Sequence, residues 1–109
     1  GVNSWQVAVE LKKLLDDAIY WTDKNIYLPD EIAVRFKHRI VSIHCFPNGN
    51  GRHSRLIADI IIEKIYNRPV FSWGAANLST EGDIRAAYLK AITAADKQDY
   101  RLLLAFARS

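Results

Sequence analysis

Cysteine is nearly absent: Cys45 is the only one among 109 residues. An internal disulfide framework is thereby excluded, and this usage fits a reducing compartment. Methionine is wholly absent, the initiator included, which reads as a fragment or a processed chain with sequence missing upstream. No apolar run reaches the ~20 residues that a membrane-spanning helix needs, because Asp59 and Glu63 interrupt the best stretch. The opening residues do not form a secretory leader, so a cytoplasmic setting without membrane partners is expected. Neither sign of charge dominates, with 15 basic and 12 acidic residues and a net charge of +3. That balance alone is too weak to argue for a nucleic-acid partner. What remains is an ordinary globular composition, half hydrophobic and a quarter charged, and long enough for a real core.

The pattern of that composition is helical. Trp5, Val7 and Val9 alternate with Gln6 and Ala8, which suggests a short strand at the start of the chain. Over residues 10–24, Leu11, Leu14, Leu15, Ala18, Ile19 and Trp21 share one helical face. Pro29, Asp30 and Glu31 read as the start of a second helix. Ala33, Phe36, Ile40 and Ile43 mark its buried face, and Arg35, His38 and Arg39 its polar side. A third helix is predicted over residues 52–66, apolar nearly all round as in a central buried helix. Pro69 follows its end, and residues 70–79 read as a loop. Thr80 with Asp83 resembles a capping box for a fourth helix reaching about residue 95, and Asp96 with Asp99 resembles another for a last one. The expected fold class is all-α, a helical bundle around a central apolar helix with one short N-terminal strand. The basic residues Lys12, Lys13, Arg35, Lys37 and Arg39 are interleaved with acids and lack an aromatic platform. They read as a solvated helix face rather than a nucleic-acid surface.

The stretch His44-Cys45-Phe46-Pro47-Asn48-Gly49-Asn50-Gly51-Arg52-His53-Ser54-Arg55 stands apart. Pro, Asn and Gly make a tight turn between two helices. Backbone N–H groups of Asn48 to Gly51 can converge into an anion-favouring nest. Arg52, His53 and Arg55 then crowd the first turn of the next helix, the wrong place for cations unless an anion is expected nearby. His44, whose side-chain type titrates nearest neutral pH, arrives at the end of the preceding helix. The turn is not a P-loop, which needs a Lys-Ser/Thr pair and a preceding strand. It is not a dinucleotide fingerprint either, because Ser54 stands where the third Gly belongs.

The stretch resembles the signature of the Fic domain, H-x-F-x-[D/E]-G-N-G-R-x-x-R. Every specified position agrees except Asn48, where an acid is usual, and the resemblance extends roughly over the whole chain. Within the family the chain looks most like the Fic-like proteins of bacterial mobile elements called mobile mystery protein B. The resemblance implies a Fic domain over residues 1–109, with residues 1–9 a remnant of a target-docking flap and 10–109 the helical core. It implies transfer of AMP from ATP to a Ser, Thr or Tyr hydroxyl of a target protein. His44 would be the general base. Asn48, Gly49, Asn50, Gly51, Arg52 and Arg55 would hold the nucleotide phosphates, and Phe46 would anchor the loop in the core. Trp5, Gln6 and Val7 would dock the target by strand addition. Tyr88 and Asp96 would stand on the adenine side; their plainer readings are a core tyrosine and a helix cap. The cofactor expected is Mg²⁺ or Mn²⁺, with ATP as substrate. Asn48 would bind the metal only weakly, since Mg²⁺ leans on carboxylates and phosphates. The same departure supports an alternative, a nucleotide- or phosphate-binding regulatory module with weak or no transfer. The family also leaves room for an inhibitory or antitoxin partner. Glu81-Gly82 resembles the end of the family's inhibitory segment, but Asn77 stands where its Ser or Thr belongs.

Overall fold

The computed structural model describes residues 4–44 and 48–109. They form five α-helices: α1 (Ser4–Asp23), α2 (Pro29–Ile43), α3 (Asn50–Ile60), α4 (Glu81–Asp96) and α5 (Arg101–Ala107). A π-helical turn, Ile61–Ile65, continues α3. No strand occurs among the described residues, so the all-α class holds. The chain divides into two compact units, Gly1–Arg68 and Pro69–Ser109.

In the first unit, α1 begins earlier than the sequence pattern indicated. Residues 4–9 are helical, which corrects the expected strand and with it the docking of a target on Trp5, Gln6 and Val7 by strand addition. The physical reason lies in spacing. Val7, Leu11, Leu14, Ala18 and Trp21 continue one helical stripe, and all five pack against the Phe36, Ile40 and Ile43 core. A lone strand would need a partner for its backbone groups, whereas a helix satisfies them internally. Trp5 is left 72% exposed. Asn25 ends α1 in the left-handed region (φ 51°). There the Ile26 N–H donates to the Trp21 carbonyl at 3.0 Å and the Asn25 N–H to that of Thr22 at 3.3 Å. This is the Schellman pattern, with asparagine in the place glycine usually takes.

Helix α2 starts where Pro29 predicts, with Asp30 and Glu31 in its first turn. It packs against both α1 and α3 and buries eight residues. Helix α3 buries only Ser54 and Ala58. The central position therefore falls to α2. Leu56, at 58%, and Ile65, at 65%, remain exposed, and Ile57, Ile61 and Ile65 line an open apolar groove of about 400 Å³ with Leu15, Ile19 and Phe36. Arg35 pairs with Glu31 at 2.8 Å and lies 4.0 Å over the Tyr27 ring. Arg39 pairs with Asp17 on α1, and Lys12 with Asp16 at 2.8 Å. The solvated-face reading fails at Lys37 and the polar-side reading at His38, both of which are buried.

In the second unit, Thr80 caps α4 as its sequence predicts, its Oγ1 accepting from the Asp83 N–H at 3.0 Å. Thr80→Ala is expected to lower stability by about 1 kcal/mol, measurable by urea unfolding of the chain. The second expected capping box does not form. Asp96 is the last residue of α4. The Asp99 N–H donates to Ala94 at 3.0 Å and the Gln98 N–H to Ala95 at 2.9 Å, closing another Schellman end. Asp99 instead accepts from the Arg101 N–H at 3.2 Å, and this same residue's guanidinium holds the Asp99 carboxyl down at about 2. Residues 70–79 contain no helix. They are tied to the end of α5 by the Ser72 and Trp73 N–H groups, which donate to the Ala107 carbonyl at 2.9 and 3.0 Å. Gly74 (φ +87°) passes so close to Phe106 that a Cβ there would lie 2.8 Å from its ring.

Candidate functional site

The Gly-rich turn joins the end of α2 to the start of α3, two helices that pack on each other. His44 caps α2 from the left-handed region (φ 56°, ψ 48°), its N–H donating to the Val41 carbonyl at 3.2 Å. Its side chain is exposed. A left-handed non-glycine residue is uncommon and stores strain that a functional site can use. Phe46, the expected loop anchor, lies outside the described residues.

Beyond it, Asn48 is exposed. Gly49 (φ 68°) is the N-cap of α3, and no side chain caps the helix. The first N–H groups of a helix have no partner within it. Gly51 faces open space: a Cβ built there would meet nothing within 4 Å. Packing therefore does not require glycine at 51, whereas close approach of a ligand to the backbone would. No acid stands in the first turn of α3. Arg52 and His53 are exposed there, while Asn50 and Arg55 are half-buried. Buried Ser54 donates from Oγ to the Gly51 carbonyl at 2.7 Å. The end of the turn thus combines uncapped donors, positive helix dipole and two arginines, an arrangement that attracts an anion. One residue before His44, Ile43 helps line a hollow of about 350 Å³ with Gln6, Glu10, Arg39 and Ser42.

Tyr88 and Asp96 belong to the second unit. The Tyr88 ring packs on Phe106 at 5.5 Å between centroids, and Asp96 is exposed at the end of α4.

Lys37 is the residue the sequence reading missed. It is fully buried in α2, and burial, followed by the charge of Arg55, pushes its pKa from 10.5 to about 8. The signal was present in its spacing, because Ala33, Lys37 and Ile40 recur at helical intervals along one side of α2.

A divalent cation has little to hold it within the protein alone. Among the described residues no group of three or more His, Cys, Asp or Glu is arranged around a common point. Asn48 offers one neutral carbonyl oxygen, a poor match to the carboxylates that Mg²⁺ prefers.

A histidine at a helix end, a glycine turn and an acid-free helix start form an arrangement in a helical domain that would suit an anion. The Fic/DOC family model matches residues 5–62, which takes in the glycine turn and the helices on either side of it but not Tyr88 or Asp96, and the chain belongs to that family. No solved structure matches it. No described helix is long and apolar enough to cross a membrane.

Proposed function

We propose that this protein is an adenylyltransferase that moves AMP from ATP to a Ser, Thr or Tyr hydroxyl of a target protein. The observation that carries the proposal is the acid-free start of α3, with no side-chain cap, six residues after an exposed histidine in the left-handed region. Fic/DOC membership supports the nucleotide as the anion. Kinship with the mobile mystery protein B group belongs to the same proposal, and so does regulation by an inhibitory or antitoxin partner.

His44 takes the proton from the target hydroxyl as its oxygen attacks the α-phosphorus. The bond from that phosphorus to the bridging oxygen breaks, and pyrophosphate leaves. Arg52 and Arg55 hold the outer phosphates, and the N–H groups of Gly49, Asn50 and Gly51 receive charge that builds on the phosphate oxygens. Tyr88 and Asp96 are the candidates for the adenine side. The chemistry a divalent cation supplies is charge neutralisation across the phosphates, and the donor set here leaves that task mainly to the arginines and the helix end.

The test uses ATP labelled at the α- or the γ-phosphate, incubated with the protein in cell lysate. Label from the α-position alone should appear on protein. Label from the γ-position would redirect the reading to phosphoryl transfer.

Asn48 favours a second reading, a nucleotide-binding module that transfers little. Asn48→Asp separates the two. It is expected to tighten Mg²⁺-ATP binding about tenfold, as one added charge near a cation should, and to weaken metal-free ATP. Calorimetry with and without Mg²⁺ reads both. If transfer stays absent in Asn48→Asp while binding tightens, the module reading prevails.

A further inference from the structure

Beside His44 lies a hollow that the transfer step itself does not occupy. It measures about 350 Å³ and is lined by Gln6, Glu10, Arg39, Ser42 and Ile43. The first two stand on α1 and the other three on α2. The two helices pack on each other and are joined by residues 24–28, so they run in opposite directions. The start of α1 therefore meets the end of α2, and Ile43 is the covalent neighbour of His44. The Cα atoms of such neighbours lie about 3.8 Å apart.

The charges around the hollow are sorted by position. Arg39 pairs with Asp17 across the two helices, and Glu10 pairs with Lys13 at 3.3 Å. Asp17 lies seven residues past Glu10 on α1, about 10 Å along the helix axis. Asp17 thus draws the Arg39 guanidinium toward the middle of the α1–α2 seam, while Glu10 stands nearer the end that holds His44. Lys13 is not part of the lining, and its side chain is 63% exposed. An exposed pair of this spacing is weak, so an arriving cation can replace Lys13 at Glu10 and leave it to water. The last turn of α2, which supplies Ser42 and Ile43, carries no basic side chain. The final carbonyls of a helix bear partial negative charge and favour a cation.

A target hydroxyl must come within hydrogen-bond reach of His44. The chain on either side of it advances about 3.3–3.6 Å per residue, so a side chain within about three residues of that hydroxyl reaches the hollow. A lysine or arginine can lay its stem along Ile43 and bring its charge to Glu10. The geometry points to a subsite for the target protein: the hollow takes a lysine or arginine side chain within about three residues of the acceptor hydroxyl, and Glu10 selects it. This inference rests on the proposed reading of His44 as the base of a transferase. It deepens that reading by naming the chemistry through which a target is chosen.

Peptides with a single Ser, Thr or Tyr test it, carrying lysine, glutamine or glutamate beside that residue. They are incubated with the full chain and ATP labelled at the α-phosphate. Lysine peptides are expected to take label about tenfold faster than glutamate peptides at limiting concentration. Glu10→Lys should abolish or reverse that preference, while ATP affinity by calorimetry stays within about twofold of the unsubstituted protein. No preference, or a preference for glutamate, would overturn the inference and leave the proposed function standing. A lysine preference that survives in Glu10→Lys would also overturn it, since the cation would then be read elsewhere. Should lysate proteins take label and peptides none, the labelled lysate sites carry the comparison by mass spectrometry. Lysine and arginine should then be enriched beside the labelled hydroxyls with the unsubstituted protein and not with Glu10→Lys; equal enrichment, or none, overturns the inference. Absence of label on peptides and lysate alike would remove the proposed function and the inference together. Thermal melting checks that Glu10→Lys folds. Should it not, Glu10→Gln, which removes the charge and keeps the shape, carries the same comparison, with the lysine preference expected to vanish.

Discussion

Replacing His44 with alanine is expected to lower AMP transfer by about 10²–10⁴-fold, the range that positioned acid–base groups contribute. ATP affinity should change far less, because the phosphate contacts are assigned to the start of α3 rather than to the imidazole. A loss confined to turnover is the signature of an interaction made only in the transition state. One complication comes from the backbone. His44 has φ 56°, and a residue with a β-carbon in the left-handed region costs about 1–2 kcal/mol. Histidine and asparagine enter this region more readily than alanine does. His44→Asn is therefore the cleaner variant, keeping the helix end while removing the base. Both variants should be inactive, and His44→Asn should melt closer to the unsubstituted protein. Label transfer measured beside a thermal melt separates the two effects. Transfer that survives in His44→Asn would sink the general-base assignment.

How much of this was legible in the sequence depended on whether the deciding force was local. The start of α2 at Pro29, its end at His44 and the Thr80 cap are set by residues within one turn of the boundary. All three were readable. The turn itself was readable for the same reason: glycine at a left-handed N-cap and cations in an acid-free first turn are local chemistry. The start of α1 was not. Alternation over residues 5–9 covers too few positions to separate a period of two from a helical stripe. The matter is settled only by Val7 packing on the Phe36–Ile40–Ile43 core. The ranking of α2 above α3 in burial was also hidden. An all-round apolar helix suggests a central place, yet α3 leaves Leu56 and Ile60 open, and what decides burial is which helix lies between two others. At the end of α4, two acids three residues apart mimicked a cap, while the backbone had already closed through Gln98 in the left-handed region. Lys37 failed for a different reason. Residue type outvoted spacing, because lysine is almost never fully buried. Where pattern and type disagree in this way, a functional or strained position is the expected cause.

That cost should be measurable as stability. Folded Lys37 has its pKa pushed from 10.5 to about 8, so the folded protein binds this proton more weakly than the unfolded chain does. Between those two values the unfolded chain carries more protons, and stability rises with pH. Below about pH 8 the full penalty is present; above about 10.5 it is gone. The shift corresponds to about 3 kcal/mol. Methionine, unbranched and of similar length, removes the charge. Among the described residues no buried side-chain polar atom lacks a hydrogen-bond partner, so removing the ammonium also leaves its partner unpaired, a pH-independent cost of about 1–3 kcal/mol. Relative to the unsubstituted protein, Lys37→Met is therefore expected to lose about 3 kcal/mol of stability as pH climbs from about 8 to 10.5. Taking the difference removes every other group that titrates in that window. Urea unfolding at pH 7, 8, 9 and 10.5 reads it. A difference that stays constant from pH 7 to 10.5 would sink the account of a tolerated penalty.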